Sequence, residues 1–87
     1  MIPDNTISSI DSLVSSLSLE DCKKIFANNE SIWRYRYTDE RIGQYYFNMI
    51  FHGVTVSFPE LFYEEGKEMA EEIYSNFLFK VIYKIEH

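Results

Sequence analysis

Apolar residues in this chain return every three or four positions, and they do so in four separate stretches. Ile7, Ile10, Leu13, Val14 and Leu17 form the first. Leu19, Cys22, Ile25 and Phe26 form the second, and Ile42, Tyr45, Tyr46, Met49 and Ile50 the third. Met69, Ala70, Ile73, Tyr74, Phe77, Val81 and Ile82 make up the last. A half-buried strand needs alternation with a period of two, whereas a period of 3.6 gathers each set on one face of a helix. Four amphipathic helices with short connections have one economical arrangement, so the pattern predicts an all-α fold, a small four-helix bundle in a single domain over residues 1–87.

The residues between the stretches set the boundaries. Residues 1–5 are expected to fray, with Asn5 or Thr6 capping the first helix. Ser18 reads as the cap of the second, because Asp21 follows three positions on, and Asn28-Asn29 as its end. Thr38 or Asp39 would cap the third helix, which runs to about His52, with Gly53 past its end. Val54, Thr55 and Val56 are β-branched and read as extended, and Pro59 suits the first position of a short turn, 59-PELFYEE-65. Gly66 separates that turn from a long helix over 67–85, whose Lys80 and Lys84 suit the negative end of its own dipole.

One segment breaks the helical period. In 31-SIWRYRYT-38 bulky and basic residues alternate, with Trp33, Tyr35 and Tyr37 on one side and Arg34 and Arg36 on the other. Without an identifiable strand to pair with, it is expected to be an extended aromatic connector between the second and third helices. Trp33, Arg34, Tyr35, Arg36 and Tyr37 are also the first candidates for a partner-binding surface, since aromatic residues and Arg are enriched in binding hot spots. The competing reading puts the rings in the core and pairs the arginines with glutamates.

Charge narrows the partners. The net charge is −6, and six glutamates against one lysine fall between Glu60 and Glu72. Glu64, Glu65, Glu68, Glu71 and Glu72 then form an acidic face, read either as a solvated exterior or as a dock for a basic partner. Such a surface repels phosphate backbones and anionic lipid, so neither nucleic acid nor membrane is expected as a direct ligand. No apolar run approaches the roughly 20 residues that span a bilayer, and the first ten residues do not resemble a secretion signal. A single cysteine, Cys22, offers no internal disulfide. Together these point to a cytoplasmic protein.

Chemistry-bearing motifs are sparse. His52 and His87 are not spaced as a metal pair, Cys22 sits at an apolar helical position, and no Gly-rich phosphate loop is present. The chain is therefore read as a non-enzyme without cofactor or metal. The most specific pattern is 41-RIGQYYFN-48. On a helix Arg41, Gln44 and Asn48 would form one polar line at i, i+3 and i+7, either bracing connectors or holding a small polar ligand. Arg41 would pair with a glutamate of the 60–65 turn. Gly43 costs a helix about 1 kcal/mol relative to Ala, so it should permit a close approach, by residues 58–63 or by Trp33.

A Trp at 33, then 38-TDERIGQYYFN-48, then 59-PELFYEE-65 and a closing helix resemble a diffuse group of small uncharacterised bacterial and phage-borne proteins. These share an R-[LI]-G-Q-x-x-x-N helix followed by P-x-L-F-Y-x-x-[DE]. The resemblance spans residues 33–77, and Gly66 departs from it where the group often carries an acidic residue. It implies a fold more than an activity. An origin on a mobile element would point to an inhibitor, immunity or host-interaction role. The expectation is thus a small acidic module that binds another macromolecule, a protein. The alternatives are a ligand or enzymatic site at Arg41, Gln44 and Asn48, or a subunit that self-associates as a homodimer.

Overall fold

The computed structural model describes residues 1–31 and 41–87. Among these residues the regular structure is entirely helical: α1 (Asp4–Ser16), α2 (Leu19–Ser31), α3 (Ile42–Ile50), the single turn α4 (Pro59–Phe62) and α5 (Lys67–Glu86). The expected connector over residues 32–37 lies outside the described residues, as do Thr38 and Asp39. No helix among the described residues is long and apolar enough to cross a membrane.

α5 is the element on which the others pack, making contacts with α1, α2, α3 and α4. Its buried residues Ala70, Ile73, Phe77 and Val81 recur at three- and four-residue steps, so one stripe serves several neighbours. Against it stand Ile10, Val14 and Leu17 from the first helix and its end, Cys22 and Ile25 from α2, and Ile50 and Phe51 from α3. Aromatic rings fill the centre. Phe77 lies 5.2 Å from Phe51 and 5.8 Å from Phe58, and Phe51 and Phe58 are 6.4 Å apart, distances at which edge-on and tilted rings attract.

The helix ends follow local chemistry only in part. Ser18 Oγ accepts from the Asp21 N–H at 3.0 Å, as its spacing predicts. α1 instead starts at Asp4 behind an extended Pro3, whose carbonyl accepts from the Thr6 and Ile7 N–H groups at 3.1 Å. Proline's fixed φ prepares the chain for a helix. Thr6, expected as a cap, is buried, and Ile2 packs against the core where fraying was expected through Asn5. The Asn28-Asn29 pair does not end α2, which continues to Ser31. Asn28 Nδ2 donates to the carbonyls of Ile50 and His52, both at 2.9 Å, and so closes the far end of α3, while Asn29 Oδ1 accepts from the Tyr74 hydroxyl.

Lys84 likewise serves another helix. Its Nζ donates to the carbonyl oxygens of Val14, at 2.8 Å, which also accepts from the Leu17 N–H, and of Leu17, just past the end of α1. Lys80 pairs with Asp11 of α1. Lys84 stands in the last turn of α5, as its expected match to the helix dipole requires, and both lysines also bind α1 to α5.

The link from α3 to α4 agrees with the sequence reading. Gly53 adopts φ +80°, a left-handed conformation that L side chains seldom take. Val54 and Phe58 turn inward while Thr55 and Ser57 are exposed. Pro59 then opens α4, and its Leu61 is fully buried.

Candidate functional site

The aromatic and basic residues Trp33, Arg34, Tyr35, Arg36 and Tyr37 lie outside the described residues. The second candidate, the line Arg41, Gln44 and Asn48, is described, and its geometry differs from the expected one. α3 begins at Ile42, so Arg41 stands before the helix, with φ −57° and ψ 146°, and only Gln44 and Asn48 share its face. Gln44 is half-buried, and Asn48 is exposed and has a partner of its own.

Arg41 forms no ion pair with Glu60, Glu64 or Glu65. Its guanidinium carbon instead sits 5.3 Å from the Phe62 ring centre and 5.2 Å from that of Tyr63. A guanidinium is weakly hydrated and planar, so it gains from aromatic faces what it forgoes in carboxylate contact. Its Nε is enclosed without a hydrogen-bond partner among the described residues.

Gly43 explains why α4 sits there. Its N–H donates to the Glu64 carbonyl at 3.0 Å. A Cβ on Gly43 would lie 1.9 Å from the Leu61 carbonyl oxygen and 2.6 Å from that of Glu64. The turn after Pro59 therefore rests directly on the backbone of α3, as the glycine in a helical pattern suggested, although Gly43 stands in the first turn of α3.

The acidic face divides into three settings. Glu64 and Glu65 occupy the turn between α4 and α5, where Glu64 Oε2 accepts from the Gly66 N–H at 2.9 Å. Glu71 accepts from the Tyr46 hydroxyl at 3.4 Å. Tyr46 stacks on Tyr74 at 4.9 Å, and burial, followed by Glu71, raises the Tyr46 pKa. Burial, with Tyr46 beside it, pushes Tyr74 up to about 12. Glu68 and Glu72 lie on the outer side of α5, where Glu72 meets the amino-terminal nitrogen of Met1 at 3.2 Å.

Sequence reasoning missed one feature of that outer side. Phe79 and Tyr83, one turn apart on α5, are 72% and 59% exposed. Phe79 borders two open clefts. One, of about 370 Å³, is lined by Asp11, Val14, Lys80, Tyr83 and Lys84, and the other, of about 760 Å³, by Ile2, Ile7, Glu72, Ser75 and Asn76. The signal was present: positions 79 and 83 fall opposite Ile73, Phe77 and Val81 on a helical wheel, so two rings had no inward place.

Among the described residues no group of three or more His, Cys, Asp or Glu could hold a metal ion. Cys22 is fully buried, and desolvation raises its thiol pKa more than nearby Lys84 lowers it, the reverse of an activated nucleophile. When the chain is compared with protein-family profiles, curated proteins and solved structures, nothing matches at a significant level.

Proposed function

We propose that this chain is a small acidic protein-interaction module, on the frame of a four-helix bundle in which α4 is a wedge. The observation that carries the reading is the exposed pair Phe79 and Tyr83 on a helix whose opposite face, Phe77 and Val81, is fully buried. A rigid element that presents aromatic rings between open clefts suits the anchor residues of an interface, where pre-ordered groups lose little entropy on binding. The basic aromatic segment 33–37 is a second contact of the same module, supported by its residue types alone. The partner is a protein, because a net charge of −6 works against nucleic acid and anionic membrane. An origin on a mobile element, which the sequence resemblance implies, favours an inhibitor, immunity or host-interaction factor, and the sequence composition favours the cytoplasm as its place of action.

A photo-crosslinking phenylalanine analogue installed at position 79, 35 or, as a control, 23 on α2 tests this in cells that make the protein natively. The reading expects a discrete protein adduct from position 79 that is absent from position 23. Equal, diffuse labelling from both positions would refute it. An adduct from 35 alone would move the contact surface to the aromatic segment.

A further inference from the structure

Along α5, Glu68, Glu72, Ser75, Phe79, Tyr83 and Glu86 follow one another at three- and four-residue steps and share the side away from the core. From Glu68 to Glu86 this row is about 27 Å long at the helical rise of 1.5 Å per residue. Two exposed rings lie within it, and carboxylates stand at both ends. The lysines of the same half of α5 are turned away from the row, Lys80 to Asp11 and Lys84 to the carbonyls at the end of α1. Glu68 and Glu86 have no ion-pair partner among the described residues. Asn76, which lines the larger cleft, keeps an enclosed Oδ1 that accepts no hydrogen bond there.

We propose that this outer face of α5 docks a cationic amphipathic helix of a partner protein, its apolar side over Phe79, Tyr83 and Ile7 and its Lys or Arg residues meeting Glu68 and Glu86, with Glu72 shared between the partner and the Met1 amine. The proposal rests on the interaction-module reading and adds the chemistry of the partner. Charge decides among occupants. Parallel pairing of a second copy sets each carboxylate against itself, and an antiparallel copy about Phe79 meets Glu86 with Glu72, whose charge the Met1 amine offsets, so a second copy gains less at these carboxylates than a basic helix does. Phosphate-bearing occupants meet the same repulsion. A basic helix gains attraction at both ends of an apolar contact.

The probe is a fluorescein-labelled amphipathic helix of leucine and lysine, set beside the same peptide with glutamate in place of lysine. Binding is read by fluorescence anisotropy at low and physiological salt. The lysine helix is expected to bind and the glutamate helix not. Phe79→Ser with Tyr83→Ser should weaken binding about tenfold, equivalent to about 1.4 kcal/mol. Glu68→Gln with Glu72→Gln and Glu86→Gln should weaken it and flatten its salt dependence. Glu20→Gln with Glu30→Gln on α2 should leave it unchanged, which separates docking from general attraction to an acidic protein. All of these positions are at the surface, and an unchanged urea midpoint certifies each fold. Equal binding of the two peptides, or affinity untouched by both α5 variants, overturns the proposal. A dimer in sedimentation that Phe79→Ser with Tyr83→Ser abolishes also overturns it, in favour of a second copy. If the crosslinker at position 79 captures a protein while the lysine helix fails to bind, this proposal falls and the module reading stands; capture from 35 alone also overturns this proposal and leaves the module reading, and capture from neither 79 nor 35 sinks the module reading itself.

Discussion

Gly43→Ala should destabilise the protein, although the same exchange in an exposed helix interior stabilises by about 1 kcal/mol. The added methyl would meet the Leu61 carbonyl oxygen at 1.9 Å, and ordinary contact begins near 3.4 Å, so α4 must retreat by about 1.5 Å. The obstacle is backbone and cannot rotate aside. Retreat breaks the Gly43 N–H bond to the Glu64 carbonyl, worth about 1 kcal/mol net. It also loosens the fully buried Leu61, and an overpacked contact of this kind costs about 1–3 kcal/mol. Set against the gain in helix propensity, the net loss is about 1–3 kcal/mol, a sizeable fraction of the roughly 5–8 kcal/mol expected for a domain of this size. Urea denaturation followed by circular dichroism measures it as a lower midpoint with an unchanged slope, and the melting temperature should fall by about 5–20 °C. Gly66→Ala is the control, since the nearest atom to its Cβ is the movable Glu64 Oε2 at 3.2 Å, and the change should stay within about 0.5 kcal/mol. A Gly43→Ala protein as stable as the parent, or more so, would refute the argument that backbone contact dictates this glycine.

Three further outcomes follow from the same contacts. Lys84→Met keeps the aliphatic stem but leaves the α1 carbonyls without their donor, and should cost about 2 kcal/mol in the same urea assay, whereas Lys80→Met, which removes a more exposed pair with Asp11, should cost less than about 1 kcal/mol. Tyr74 is held neutral to about pH 12 against an ordinary value of 10, so the folded state retains a proton that the unfolded state gives up. Its contribution is complete below pH 10 and is lost as pH rises toward 12, and Tyr74→Phe should reduce the slope of stability against pH in that window. Cys22 should resist a thiol reagent such as DTNB in the native protein and react at the rate of unfolding, with Ser18→Ala, which removes the α2 cap, speeding the reaction.

The sequence by itself determined the helices, most of each inward stripe and several of their boundaries, although Leu19 and Phe26, assigned to the stripe of α2, are exposed beside the buried Cys22 and Ile25. Ser18, Gly53 and Pro59 act within a few residues of themselves, so their roles can be read from spacing alone. Gly43 was legible for a different reason: a costly residue inside a helical pattern implies a neighbour that needs the space. The candidate site was far less legible. Arg41 was expected to choose a carboxylate and lies over two rings. Asn28 and Asn29 resemble a helix stop, and Lys80 and Lys84 resemble a charged helix end. Phe79 and Tyr83 count as surplus apolar residues until α5 is set among its neighbours. Only the tertiary structure decided these cases, because a polar or aromatic side chain is satisfied by whatever the fold brings near. The partners of Asn28, Asn29 and Lys84 stand 22, 45 and 70 residues away along the chain. Periodicity and capping are properties of adjacent turns; these pairings exist only once the helices have found one another.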